Sequence, residues 1–143
     1  MKTTFKLLSS LFLFIVLLMG VGCFEKKAPT VIKESDTYIV INVSSETMDI
    51  NENTTLVEYM YALKEKGELT FEMKNGMVSS VNGIENPADW SNCWMLYTGD
   101  ADNANTAWGE VEYKGVVYGS AIFGAESLKI KDGCLYIWIF QAF

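Results

Sequence analysis

The chain has 143 residues, half of them hydrophobic, with 11 basic and 18 acidic side chains and a formal net charge of −7. Every basic residue is lysine, so no basic patch is available to neutralise phosphates, which argues against nucleic-acid binding. Histidine is absent altogether, which removes the commonest general base and the commonest metal ligand together.

Residues 1–22 read as an export signal. Lys2 and Lys6 make a positive start, and Leu7 to Met19 form a mostly apolar stretch of 13 residues, short of the ~20 that a membrane span needs. Gly20-Val21-Gly22-Cys23 follows, and this run resembles the lipobox of bacterial lipoproteins, with Gly20 where that pattern prefers Leu. The resemblance implies cleavage before Cys23 and acylation of its thiol, which places the protein outside the cell, held at the outer face of the membrane by its lipid. Acyl chains supply that hold because each buried CH₂ contributes ~0.8 kcal/mol. An ordinary cleaved signal with an incidental cysteine is the alternative. Cleavage there leaves 121 residues with net charge −9, enough for one domain. With no polybasic segment, contact with the bilayer is expected through the lipid anchor alone.

Residues 23–36 are polar, mixed in charge and contain Pro29, as expected of a lipidated N-terminus and tether. The folded domain is expected over 37–143. Ile39, Ile41 and Val43 alternate with Tyr38, Val40 and Asn42, which predicts a first strand. Thr55-Leu-Val-Glu58 is a capping box. Leu56, Tyr59, Met60 and Leu63 then form one apolar stripe, so a helix is predicted over 56–66 with Gly67 just past its end. Asn75-Gly76 predicts a tight hairpin turn. Residues 92–99 predict another strand, 98–107 a loop, and Lys114-Gly115 a second hairpin. Lys131-Asp132-Gly133 turns into a final strand, "CLYIWIFQAF". One early helix followed by strands predicts an α+β class: a mixed sheet packed on one helix.

The order of a first strand, "TLVEYMYAL", "SSVNGI", "WMLYTG" and "GSAIFGAESLKIKDGCLYIWIF" resembles a bacterial domain family called DUF4430. Thr55-Leu56, Asn82-Gly83, Trp94, Tyr97, Gly124 and Asp132-Gly133 carry the likeness most plainly. That family is similar to the C-terminal (β) domain of the vitamin B12 carriers transcobalamin and intrinsic factor. The resemblance implies a β-grasp-like fold that binds a small molecule, with cobalamin as one possible ligand and no resident cofactor. The carriers add a helical domain that clasps B12 from the other side, and this sequence holds none.

The last strand is apolar on both faces. If Leu135, Ile137 and Ile139 meet Ile39, Ile41 and Val43 beneath the helix, Tyr136, Trp138 and Phe140 face the open side. Cys93 and Cys134, the thiols left after acylation of Cys23, invite one disulfide in an oxidising compartment; two buried free thiols are the alternative. A bridge across paired strands would place Met95 and Tyr97 with those rings, and Trp94 and Leu96 under the helix. The candidate ligand-binding platform is therefore Tyr97, Tyr136, Trp138 and Phe140, rimmed by Trp108. The alternative is that residues 111–127, with Val116, Val117, Tyr118, Ile122 and Phe123, fold over this face and bury it.

Asp100, Asp102, Asn103 and Asn105 miss the spacing of a calcium loop, because Ala104 stands at its fifth position, so a solvated acidic loop is expected and no metal, with weak calcium binding as the alternative. Glu110 and Glu112 alternate as solvated acids do. No nucleophile–base pair, phosphate loop or CxxC occurs, so no enzyme is expected and no catalytic residue is named. The expected function is non-catalytic binding of a small molecule at the cell surface, with delivery to a transporter as one role. The alternative is an adhesion module that meets a cell-surface protein or wall polymer.

Overall fold

A computed structural model describes residues 28–142. The signal segment, the acylation expected at Cys23 and the first part of the tether lie outside the described residues. The strands are β1 (Val31–Ser35), β2 (Tyr38–Asn42), β3 (Phe71–Lys74), β4 (Met77–Val81), β5 (Ile84–Glu85), β6 (Asn92–Thr98), β7 (Ala104–Tyr113), β8 (Val116–Ala121) and β9 (Leu135–Ala142). One α-helix, α1 (Leu56–Glu65), lies between β2 and β3. Six strands form a sheet in the order β1-β2-β9-β6-β8-β7, and β3-β4-β5 form a smaller one.

This architecture overturns the α+β, β-grasp-like expectation. Every strand pair described is antiparallel, and strand outweighs helix by 47% to 11%, so the fold is β-rich rather than a mixed sheet curled on a helix. The cause lies partly in the turns. Asn75-Gly76, Asn82-Gly83 and Lys114-Gly115 all take positive φ at both positions. Two-residue turns of that hand join twisted neighbours, which are antiparallel by construction. Two further segments also enter the sheet. Residues 31–35, expected in the tether, pair with β2 as an edge strand. Residues 104–107, expected in a loop, begin β7 after a single 3-10 turn at Ala101–Asn103.

The helix forms where its local signals place it. Thr55 N donates to Glu58 Oε2 at 2.8 Å, and Glu58 N donates back to Thr55 Oγ1 at 3.5 Å. The next two amides donate to carbonyls of the connector between β8 and β9: Leu56 to Leu128 at 2.8 Å, Val57 to Ala125 at 2.9 Å. Leu56, Tyr59, Met60 and Leu63 are fully buried, each contributing roughly 2 kcal/mol through burial. They share a core with Ile39, Ile41, Tyr136 and Trp138.

That company corrects the parity expected for the last strand. Ile39 lies opposite Trp138, Ile41 opposite Tyr136, and Val40 opposite Ile137. Residues directly opposite in an antiparallel pair share a face, so the aromatic row looks toward the helix. Leu135, Ile137 and Ile139 look outward, with Val40, Met95 and Tyr97. This outer face is itself covered. The sheet curls until Tyr113, on its last strand, reaches back to the first two. Its ring lies 6.1 Å from that of Tyr38, and its hydroxyl donates to Glu34 Oε1 at 2.8 Å. Burial first, and then the Glu34 carboxylate, keep the Tyr113 phenol above its ordinary pKa and therefore protonated as the donor. Tyr118 and Val111 complete this second, smaller core.

Candidate functional site: an aromatic cleft between the two sheets

Within the core that the two sheets share, two side chains tie the small sheet to the large one by hydrogen bonds. Trp94, on β6, donates its indole N–H to the carbonyl of Ile84 on β5 at 2.7 Å. Asn86 accepts from the Trp94 amide at 2.9 Å and donates to the carbonyl of Val78, on β4, at 3.1 Å. These bonds fix where the two sheets touch. Beside them lie two hollows of about 300 and 250 Å³ that share Met77, Val78, Asn86 and Trp90 in their walls; the larger is walled by the small sheet and the turn after β5, and the smaller is bounded by both sheets. Both lie near the lower end of the range for small-molecule sites.

The segment that turns from β5 to β6 supplies half of the common wall, and β4 the rest. Pro87 starts a tight turn that Trp90 closes, its amide donating to the Pro87 carbonyl at 3.1 Å, and Asp89 accepts from Ser91 at 3.0 Å. Trp90 itself sits at φ 56°, a left-handed conformation that bulky L-residues adopt only when their surroundings impose it. The turn thus holds an indole upright at the cleft mouth, 49% exposed. Met77 (52%) and Phe123 (51%) stand at the same mouth, each half in solvent, although both are large and apolar. The deeper wall is Trp94, Leu96 and Trp138, all nearly buried. The smaller hollow has no charged side chain in its lining, whereas the larger one has Lys74 at its edge. Such a site can stack, desolvate and orient a flat molecule.

Of the five residues expected to form the ligand-binding platform, Trp138 alone lines this cleft. Tyr136 is fully buried beneath the helix, where its hydroxyl accepts from the Lys131 amide at 3.0 Å. Burial pushes its pKa up to about 12. Tyr97 belongs to the outer core, and its hydroxyl accepts from Gln141 Nε2 at 2.7 Å. Phe140 is half-buried and tilts against Trp94, with centroids 5.5 Å apart. Trp108 stands 65% exposed on an irregular stretch of β7, outside the cleft. The platform expected from Tyr97, Trp108, Tyr136, Trp138 and Phe140 is therefore not assembled. Trp90, Met77 and Asn86 were missed, and Phe123, read as part of a cover over the platform, stands at the cleft mouth instead. One signal for Trp90 was present: a tryptophan inside the turn-forming run "NPADWSN" has no core to enter.

The disulfide expectation is corrected as well. Cys93 and Cys134 are free thiols. On β6 and β9 Cys93 lies opposite Gln141, seven residues along the chain from Cys134, roughly 20 Å at strand rise. A bridge needs Cα atoms within about 7 Å. Burial pushes both thiols up in pKa.

The acidic loop is tied rather than merely solvated. Lys131 Nζ lies 2.7 Å from both Asp100 Oδ1 and Asp102 Oδ2, and Asn103 Nδ2 donates to Asp100 Oδ2 at 2.7 Å. Burial alone would raise the Asp100 carboxyl. Lys131, Asn103 and the Asp102 amide outweigh it and hold Asp100 below the ordinary carboxylate value. Among the described residues no group of three or more acidic or cysteine side chains is placed to hold a metal ion. Comparison of the chain with protein-family models, with curated proteins and with solved structures finds no match.

Proposed function

We propose that this protein is an exported, lipid-anchored receptor module that holds a small, flat, partly apolar molecule in the cleft beside Trp90 and performs no chemistry on it. The observation that carries this reading is the convergence of Met77, Trp90 and Phe123 at one cleft mouth, all half in solvent, with Trp90 held in a strained backbone conformation. Apolar surface left exposed in one place generally meets a partner. Backbone strain points to function where it is observed rather than assumed. The anchoring part rests on the resemblance of Gly20–Cys23 to a lipobox, and the mass of the mature N-terminus tests it: an unmodified peptide starting elsewhere refutes it.

Titration of the full chain with corrinoids, sugars and aromatic metabolites, followed by tryptophan fluorescence, tests the binding part. Saturable quenching that Trp90→Ala abolishes supports it. Silence across the panel favours the second reading, an adhesion module. That alternative has its own observation, because Trp108, Val116 and Val117 are each exposed on the outermost hairpin of the large sheet.

A further inference from the structure

We infer that the ligand of the Trp90 cleft is a short, uncharged peptide that lies extended along the open edge of β6. This ligand class presupposes that the cleft is the binding site, as proposed above. β6 is paired along its whole length on one side only. β9 meets it from Asn92 to Thr98, whereas β8 meets it at Tyr97 and Thr98 alone. Beyond Ala121 the chain leaves β6 and is drawn toward the start of β7, where the Ile122 amide donates to the Asn103 carbonyl at 3.0 Å. The gap that opens belongs to the smaller hollow. Cys93 to Leu96 wall it on one side, Ala121 and Phe123 to Ala125 on the other.

Two bonds fix which main-chain groups face this gap. The Trp94 amide donates to Asn86 Oδ1 at 2.9 Å, and Asn86 stands in the cleft wall. The amide of Phe140, opposite Trp94, points the other way, to the Thr37 carbonyl at 2.9 Å. Alternate residues of an antiparallel strand turn their N–H and C=O to opposite edges. The Trp94 carbonyl and the Leu96 amide therefore point to the cleft side of β6, past the last rung of the β8 ladder, with no strand partner. An open strand edge is a template for an extended chain.

One ligand residue, opposite Met95, fits between the Asn86 bond and that last rung. In the antiparallel sense of this sheet, the carbonyl before it accepts from Leu96 and the amide after it donates to Trp94. The side chain one place earlier then shares the face of Leu96 and Trp138, so an apolar or aromatic group suits it. The lining of this hollow holds no charged side chain, which selects an uncharged stretch, because an ion would lose hydration with no counter-charge to replace it.

Acetyl-Phe-Ala N-methylamide and acetyl-Phe-Ala methyl ester, which lacks only the final N–H, make the test. The full chain, labelled with 15N at leucine, is titrated with each. The Leu96 amide resonance is identified by its loss in Leu96→Ile or, should that variant not fold, by elimination with the other leucines. Both probes are expected to move that resonance, and the methylamide to bind roughly five- to tenfold more tightly than the ester. No saturable binding of the methylamide, a Leu96 resonance unmoved by bound probe, or an ester that binds as tightly overturns the inference. Where Trp90→Ala still weakens binding in either of the last two cases, only the peptide class falls. Indifference of both probes to Trp90→Ala overturns the cleft reading with it.

Discussion

Beneath the helix, Ile39, Ile41 and Tyr136 lie at zero exposure, whereas beneath the small sheet Trp94, Leu96 and Trp138 wall an open hollow. Both groups belong to the same face of the same six-stranded sheet, and to one continuous core. The covers differ. A helix lays a stripe of four large side chains across the pleats and fills them. The small sheet ends in a strand of only two residues, β5, and then reverses through the Pro87–Trp90 turn, so its shelter stops short. Room for a ligand arises where the cover runs out, and stability is concentrated where it does not.

Substitution of Tyr136 by Ala strikes the sealed half hardest. It should cost about 4 kcal/mol in chemical denaturation, as expected for truncating a fully buried aromatic; a cost below about 1 kcal/mol would mean that this half is not sealed. Next in size is Asp100→Asn, at the same end of the sheet, expected to cost about 2 kcal/mol by removing charge-assisted bonds from a buried carboxylate. The acid limb sharpens this test. Because folded Asp100 titrates below its ordinary 3.8, its contribution is fully present above that value and is lost as pH falls through the folded one. Denaturation midpoints measured from pH 6 down to pH 2 should fall less steeply in Asp100→Asn than in the parent chain.

The open half should respond in the opposite sense. Trp90→Gly relieves a left-handed residue of its Cβ, so stability is expected to hold or rise by up to about 1 kcal/mol. Binding of an aromatic probe should weaken at least tenfold by isothermal titration, on the loss of one stacking ring. A Trp90→Gly chain that is markedly less stable would show that the indole serves packing rather than binding. The smallest effect concerns the thiols. Reducing agent should change neither the mass nor the denaturation midpoint of the folded chain, since Cys93 and Cys134 are too far apart to bond.

What could be read from the sequence was local. The Thr55–Glu58 box, Gly67 and the Asn-Gly and Lys-Gly turns act over two to four residues, and each appears where its chemistry placed it. The parity of β9 could not be read in this way. Both of its faces are apolar, so alternation carries no information about which one turns inward, and a shift of one residue exchanges them. The pairing of Ile39 with Trp138 decides it, across almost 100 residues of chain. β1 was missed because an edge strand with one wet side reads as polar tether. The cleft was illegible for a further reason: its walls come from β4, the Pro87 turn, β6, the segment after β8 and β9, which meet only in three dimensions. Trp138 entered both accounts, but for different reasons.

β1 has one more consequence. On the proposed acylation of Cys23, eight Cα–Cα steps separate the lipid from Val31, the first residue bound into the sheet. Fully stretched, that leash reaches about 28 Å, no more than the width of a small domain. On that reading the domain rides close above the bilayer, within about its own width of the lipid.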